Sequence, residues 1–118
     1  MNKQGLVNRV CAYNKALNEP NRMKMMKILG SNSDNPLTVS QIAEILKISQ
    51  PTATKHLQIL FDVGFAERKR VANAIYYSVN MEAVKDYHDL LGRSFGMALT
   101  PCHYNYECDT CPYAETCH

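Results

Sequence analysis

The sequence lacks two features that would place the chain in a membrane or in an export pathway. No window approaches the run of about 18 consecutive apolar residues that a membrane-spanning helix needs. The N-terminal stretch MNKQGLVNRV also has no apolar segment of signal-peptide length. We therefore expect a cytoplasmic protein with no membrane partner.

The chain is also short. Its 118 residues give room for one small hydrophobic core, which excludes large enzyme barrels and doubly wound nucleotide-binding folds. Apolar residues make up 46% and charged residues 20%, so the composition gives no reason to expect disorder. We predict one folded domain over residues 1–100, followed by a cysteine-rich tail over residues 101–118.

The formal net charge is only +2, which by itself is too small to indicate a nucleic-acid partner. The total hides a gradient along the chain. Residues 1–80 carry eleven basic and five acidic side chains, whereas residues 81–118 carry two basic and six acidic ones. The basic body and the acidic C-terminal segment are therefore expected to serve different partners.

Hydrophobic spacing predicts a mainly helical chain. Apolar residues recur at helical intervals over residues 6–18, and Pro20 and Gly30 mark the start and end of a second helix. Residues 31–36 form a polar turn cluster. A last helix is predicted over residues 81–99, ended by Pro101. The apolar face predicted for this last helix consists of Val84, Tyr87, Leu91, Phe95 and Ala98.

Two short helices joined by a tight turn are predicted over residues 37–64. Thr38 or Ser40 caps the first helix, and Pro51 and Gly64 lie near the two ends of the second. The predicted apolar faces are Ile42, Ile45 and Leu46 in the first helix and Leu57, Leu60 and Phe61 in the second. The opposite face of the second helix is polar and almost free of acidic residues, which is typical of a helix-turn-helix.

The segments FAERKR (65–70) and AIYYSV (74–79) predict a β-hairpin, which would form a wing beside the helix-turn-helix. The hairpin tip has no glycine, so Asn73 is expected to adopt the left-handed conformation there. A winged helix-turn-helix reads the major groove with its second helix, while the wing meets the adjacent backbone or minor groove. The candidate DNA-binding residues are Ser49, Gln50, Thr52, Thr54, Lys55, His56, Gln58, Arg68, Lys69 and Arg70.

Over about residues 14–91 the sequence resembles the ArsR/SmtB family of winged-helix repressors. The resemblance is carried by the stretches LNEPNRMKMMKIL (17–29), LTVSQIAEILKISQPTATKHLQIL (37–60), VGFAERKR (63–70) and AIYYSVN (74–80). It implies a homodimer formed through the first and last helices. It also implies a palindromic double-stranded DNA operator that is released when an inducer binds, and a protein that is not an enzyme.

Of two metal sites known in this family, one is absent from the sequence and the other is half present. Many relatives have a cysteine pair where this chain has the segment 37–40, Leu-Thr-Val-Ser. Asp86 and His88 match the start of a zinc site on the last helix, but Leu99 and Cys102 stand where two later histidines would follow. Asp86 and His88 are therefore either an alternative metal site or ordinary polar residues of a helix.

The tail carries the distinctive chemistry, because four of the five cysteines lie there with the spacing Cys-x5-Cys-x2-Cys-x5-Cys: Cys102, Cys108, Cys111 and Cys117. Four thiolates complete the ligand set of tetrahedral zinc or of a [4Fe–4S] cluster. Structural zinc usually takes two close pairs of ligands, whereas the string Cys-x2-Cys-Pro-Tyr-x3-Cys resembles cluster-binding segments of iron–sulfur proteins. This favours the cluster over zinc. A metal-free thiol switch or a trivalent arsenic site are further alternatives.

The hypothesis that follows is a repressor whose operator affinity is controlled by the four-cysteine centre. One alternative is a purely structural zinc tail with the inducer bound elsewhere, for instance at Asp86 and His88. Another is a protein-docking tail that uses Tyr104, Tyr106 and Tyr113. A thiol oxidoreductase is disfavoured, because its Cys-x2-Cys motif needs a strand and helix nearby. The fifth cysteine, Cys11, is expected to be a small buried residue of the interface helix.

Overall fold

The computed structural model describes residues 5–96 as helices connected to one small sheet. The elements in chain order are α1 (Leu6–Leu17), α2 (Pro20–Ser31), β1 (Leu37–Thr38), α3 (Val39–Leu46), α4 (Gln50–Asp62), β2 (Ala66–Val71), β3 (Ala74–Val79) and α5 (Met81–Gly96). Among the helices of this range, none has the length and apolarity needed to cross a bilayer. The mainly helical winged helix-turn-helix expected from the sequence is confirmed.

Residues Ala16–Ala83 form one compact unit, which contains the helix-turn-helix and the sheet. Helices α2, α3 and α4 pack on one another, and α2 and α3 also contact β3. Side chains that are almost completely buried come from all of these helices and from the segment before β2: Met25, Leu29, Ile42, Leu57, Leu60 and Phe65. Burying one such side chain contributes about 1.5–3 kcal/mol, so these residues form the core of this small unit.

The ends of α3 and α4 are fixed by local hydrogen bonds. Thr38 caps α3 in a reciprocal arrangement, in which its hydroxyl accepts from the Gln41 backbone and the Gln41 side chain accepts from the Thr38 backbone. Lys47 ends α3 in the left-handed conformation, at φ +57°. Ser49 then caps α4. The turn between the two helices is therefore only residues 47–49.

The sheet is antiparallel and has the strand order β1–β3–β2. Tyr77 of β3 is its central residue, because it pairs with Leu37 on one side and with Arg68 on the other and is itself buried. The sequence predicted β2 and β3 but not β1. A strand of two residues has no detectable alternation, and Leu37 and Thr38 resemble the lead-in to α3, which Thr38 also caps.

The predicted apolar face of α3 was wrong at Ile45, whose exposed fraction is 54%. Ile42 and Ala43 are buried, and Leu46 is partly buried. Each residue turns a helix by about 100°, so the buried arc runs from Ile42 through Leu46 to Ala43 and leaves Ile45 outside it. On α5, Phe95 was expected on the apolar face but is 68% exposed in the single chain.

The hairpin tip also differs from the sequence prediction. Val71 pairs with Ala74, so the loop consists of Ala72 and Asn73 alone. The residue with positive φ is Ala72, at +55°, and not Asn73. A two-residue turn whose first residue has positive φ matches the twist of the strands, and the register of the hairpin places Ala72 at that position. An alanine there is strained by about 1–2 kcal/mol.

A second compact unit contains residues 5–15 and 84–96 of the described chain, which belong to α1 and α5. Leu6 and Val10 of α1 are buried together with Leu90 of α5. Tyr13 and Leu91 pack against this cluster. The apolar residues Leu6, Val10 and Tyr13, which recur at helical intervals in the sequence, therefore pack on one side of α1.

We expect Ala72→Gly to raise the free energy of unfolding by about 0.5–1 kcal/mol. Glycine has no Cβ and adopts positive φ without strain, and this gain exceeds the conformational entropy that glycine adds to the unfolded chain. Urea denaturation of the reduced protein, followed by circular dichroism, measures the change. Asn73→Gly is the matched control and is expected to lower the free energy of unfolding. If Asn73→Gly raised the free energy of unfolding and Ala72→Gly did not, the assignment of the positive φ to Ala72 would be wrong.

Candidate nucleic-acid interface

The N-terminal half of α4 presents an exposed polar surface. Gln50, Thr52, Thr54 and Lys55 are all exposed, while Ala53 between them is completely buried. The first turn of α4 contains no acidic residue. The partial positive charge of a helix N-terminus and the Lys55 ammonium therefore act in the same direction, which favours an anionic partner such as a DNA phosphate.

Several of these side chains are held by local hydrogen bonds. The Ser49 hydroxyl donates to Thr52 Oγ1 at 2.8 Å and accepts from the Thr52 backbone N–H at 3.3 Å. Gln50 Nε2 donates to Ser40 Oγ of α3 at 2.8 Å. Thr54 Oγ1 donates to the Gln50 carbonyl oxygen at 2.9 Å. The polar surface of α4 is thus partly ordered before any ligand binds, and Ser49 has a clear capping role.

His56 has a different environment from its neighbours on α4, because its side chain is only 16% exposed and its ring contacts α2. Arg22 Nη1 lies 3.1 Å from His56 Nδ1, and His56 Nε2 lies 3.7 Å from Glu19 Oε2. Glu19 also caps α2 by accepting from the Arg22 backbone N–H. The sequence assigned His56 to DNA, whereas its contacts here join α4 to α2. Glu19 and Arg22 gave no sequence signal for this role, since they lie more than thirty residues away along the chain.

The wing follows α4 in the chain and carries three basic side chains: Arg68, Lys69 and Arg70 are all exposed on β2. Side chains alternate along a strand, so Arg68 and Arg70 share one face and Lys69 lies on the other. Arg68 contacts α4 directly, because its Nη1 donates to Gln58 Oε1 at 2.9 Å. The structure therefore brings the wing and the C-terminal half of α4 together through two of the predicted DNA-binding residues.

Asp86, one of the two alternative metal ligands, is occupied by other partners. Arg9 Nη2 lies 3.3 Å from each Asp86 carboxylate oxygen, and the Tyr13 hydroxyl donates to Asp86 Oδ2 at 2.9 Å. His88 is exposed and lies edge-on to the Tyr87 ring. Within residues 5–96, no group of three or more His, Cys, Asp or Glu side chains is placed to hold a metal ion.

The Tyr13 hydroxyl has an altered acidity in this cluster. Burial raises the pKa of Tyr13 above its usual value, and the hydrogen bond to Asp86 and the negative charge of Asp86 raise it further. The positive charge of the nearby Arg9 guanidinium offsets part of this increase in the Tyr13 pKa. Tyr13 therefore stays protonated, and continues to donate to Asp86, over the whole physiological pH range.

The predicted cysteine-rich tail, residues 101–118, lies outside the described residues, and so does its candidate metal site: Cys102, Cys108, Cys111 and Cys117. Ala98 and Leu99 also lie outside them. Cys11 is on α1 and is exposed, so the expectation of a buried cysteine is wrong for the single chain.

A comparison with protein families matches residues 19–68 to "Bacterial regulatory protein, arsR family". The chain is 33% identical over 72 residues to the transcriptional repressor SdpR of Bacillus subtilis, a match that covers 61% of this chain and 77% of that protein. It is 34% identical over 71 residues to a cadmium resistance transcriptional regulatory protein CadC homolog of Staphylococcus aureus. That second match covers 60% of this chain but only 57% of the relative.

The fold is similar to that of a solved structure from Mycobacterium bovis, the homodimeric winged helix-turn-helix DNA-binding domain of a possible ArsR-family transcriptional regulator. The TM-score is 0.60 at 23% sequence identity, and the match covers 83% of this chain and 88% of that one. At this identity the likeness bears on the fold.

The raised pKa of Tyr13 predicts a pH-dependent contribution to stability. Its folded-state pKa lies above the unfolded value of about 10, so the stabilisation is fully present below pH 10 and is lost as the pH rises through the folded pKa. We expect Tyr13→Phe to lower the free energy of unfolding by about 1 kcal/mol at pH 8. Urea denaturation of both proteins at pH 8 and pH 11 checks this, and a difference that stays constant across this range would contradict it.

Proposed function

Because the chain belongs to the arsR family of bacterial regulatory proteins, we propose that it is a homodimeric repressor whose operator affinity is controlled by its cysteine-rich tail. Family membership makes it a DNA-binding transcription regulator with a winged helix-turn-helix, and not an enzyme. The binding of a specific operator, the homodimer and the control by the tail are the parts that we propose.

The observation that carries the proposal is the exposed polar half of α4 beside a basic wing. Hydroxyl, amide and ammonium groups on α4 are the donors and acceptors that meet base edges and phosphates in the major groove. Lys69 and Arg70 extend the positive charge from α4 to β2. We infer that the N-terminal half of α4 enters the major groove, while the wing contacts the neighbouring backbone.

We propose that two copies bind together through α1 and α5. Val7 of α1 and Phe95 of α5 are large apolar side chains that are 43% and 68% exposed in the single chain. A second copy that covers them would remove this apolar surface from water. A dimer also has two copies of α4. If each copy binds one half-site of a palindromic operator, with the half-sites about one helical turn apart, the dimer is more specific than one copy of α4.

We propose that the tail is the regulatory input. Cys102 follows the end of α5 by six residues, and α5 belongs to the same unit as α1. Four thiolates in this segment fit either a [4Fe–4S] cluster or tetrahedral zinc, and the single close pair favours the cluster. A change of metal state next to a dimerisation helix would alter the relative position of the two reading helices, and a typical coupling changes operator affinity about five- to hundredfold.

We expect the protein to select a palindromic site from a pool of randomised DNA duplexes and to bind it in a salt-dependent manner. Lys55→Met is expected to weaken binding and to reduce the slope of log affinity against log salt by about 0.9 for each phosphate that Lys55 no longer neutralises. Gel-shift titrations of the selected duplex at several salt concentrations measure both quantities.

The matched control for this prediction is Lys85→Met, which makes the same change of charge on α5. It is expected to leave the slope nearly unchanged. Equal effects of the two substitutions would show a diffuse charge effect and contradict the interface assigned to α4. Failure of the unmodified protein to enrich any duplex would overturn the proposed function itself.

For the tail, we expect protein purified without exposure to air to carry a metal centre that depends on Cys108 and Cys111. Replacing both with serine is expected to abolish the bound metal and the response of operator affinity to metal removal. Visible absorption, elemental analysis and gel-shift titration with and without a chelator are the measurements. Cys11→Ser is the control and is expected to keep both properties.

The outcomes separate the hypotheses for the tail. If the protein is colourless and holds one zinc per chain, the metal centre is zinc and the iron–sulfur hypothesis is wrong. Metal removal that lowers the melting temperature but leaves the affinity of the folded protein unchanged would make the tail structural. If the tail variant retained its full response, the sensor hypothesis would be wrong.

A further inference from the structure

Arg68 differs from the other two basic residues of the wing in the contacts it makes with α4. Its Nη1 donates to Gln58 Oε1 at 2.9 Å, and its guanidinium carbon lies 3.9 Å from the centroid of the Phe61 ring. Gln58 in turn donates from Nε2 to Asp62 Oδ1 at 2.8 Å. One side chain of β2 is thus connected to the last turns of α4 through a stacking contact and a chain of hydrogen bonds.

The Gln58 amide and the Arg68 guanidinium, which could otherwise bind DNA, are engaged in these contacts. The carbonyl oxygen of the Gln58 amide accepts from Arg68 and its NH2 group donates to Asp62, so both ends of the amide are engaged. The Arg68 guanidinium lies over an aromatic ring, a geometry that attracts the cation and restricts its movement. Arg70 lies two residues further along β2, shares the Arg68 face of the strand and is exposed.

We propose that Arg68 is a positioning residue, which holds the wing at a fixed angle to the recognition helix α4 through Gln58 and Phe61. Phosphate binding by the wing then falls to Lys69 and Arg70. This inference rests on the proposed function, since the fixed angle matters when α4 and the wing bind the same DNA site.

A fixed angle affects specific binding more than non-specific binding. In the specific complex the base contacts of α4 and the backbone contacts of the wing must form together, so a wing that moves freely has to be ordered when the DNA binds. Non-specific binding depends on charge and not on one docking geometry. Removing the interactions of Arg68 with α4 therefore lowers the ratio of specific to non-specific affinity, whereas removing a phosphate-binding group lowers both affinities.

The test compares Arg68→Met with Arg70→Met, using the duplex selected from the randomised pool and a scrambled duplex of the same length. Methionine keeps much of the side-chain length and removes the charge and the hydrogen bonds. For Arg68→Met we expect about five- to tenfold weaker binding to the selected duplex, a change within about twofold for the scrambled duplex and an unchanged salt slope. For Arg70→Met we expect weaker binding to both duplexes and a slope reduced by about 0.9 for each phosphate that Arg70 no longer neutralises.

A double-variant cycle tests whether Arg68 acts through Gln58. Gln58→Met is expected to reproduce the specific loss, and the double variant is expected to lose little more than either single variant. Additive losses, or a salt slope reduced by Arg68→Met as much as by Arg70→Met, would make Arg68 a DNA-binding residue and overturn the proposal. The ratio of the affinities for the selected and the scrambled duplex is measured well below the melting temperature of each variant. If Arg68→Met left this ratio unchanged, Arg68 would contribute only to stability, and the proposal would also be wrong.

These outcomes differ from failure of the proposed function. If the unmodified protein selects no duplex, the proposed function is wrong and the positioning role of Arg68 is wrong with it. If the unmodified protein binds its selected duplex and only the Arg68 variants deviate from expectation, the positioning role alone is overturned.

Discussion

The surface that α4 presents to solvent depends on the burial of three of its residues. Ala53, Leu57 and Leu60 are completely buried, and their spacing of four and three residues places them on one side of the helix. Because apolar burial is the dominant favourable term in folding, α4 has one stable rotation about its axis. Gln50, Thr54 and Lys55 then face outward, so the exposed polar surface of α4 is a direct consequence of core packing.

Polar contacts act on top of this packing and select one arrangement of the neighbouring elements. His56 is held against α2 by Arg22 and Glu19, and Gln58 is held against β2 by Arg68. Each hydrogen bond at a partly exposed position contributes little net free energy, but it has a preferred direction and length. A helix whose rotation is set by its core therefore gains fixed neighbours on both sides. This is the condition under which a helix and a wing bind one DNA site without further ordering.

Local patterns account for the parts of the fold that were predicted from sequence. The helix-turn-helix could be predicted because Pro51 and Gly64 are strong end signals and the apolar spacing between them is regular. The contacts of His56 with α2 and of Arg68 with α4 could not, since they depend on which surfaces meet in three dimensions. The positive φ of Ala72 was missed for a related reason. The pairing of β2 with β3 determines which loop residue takes that conformation, and residue preference alone favours asparagine.

The start of α3 contains no cysteine, and most of its residues have structural roles. Leu37 is buried and pairs with Tyr77, Thr38 caps α3, and Ser40 accepts a hydrogen bond from Gln50 of α4. Many relatives have a cysteine pair in the segment that corresponds to residues 37–40. Three of these four residues thus have structural roles here. The family match covers residues 19–68, whereas the thiol cluster begins at Cys102. The winged helix-turn-helix and the four cysteines therefore occupy separate parts of the sequence, so a substitution among these cysteines need not alter the exposed residues of α4 and β2.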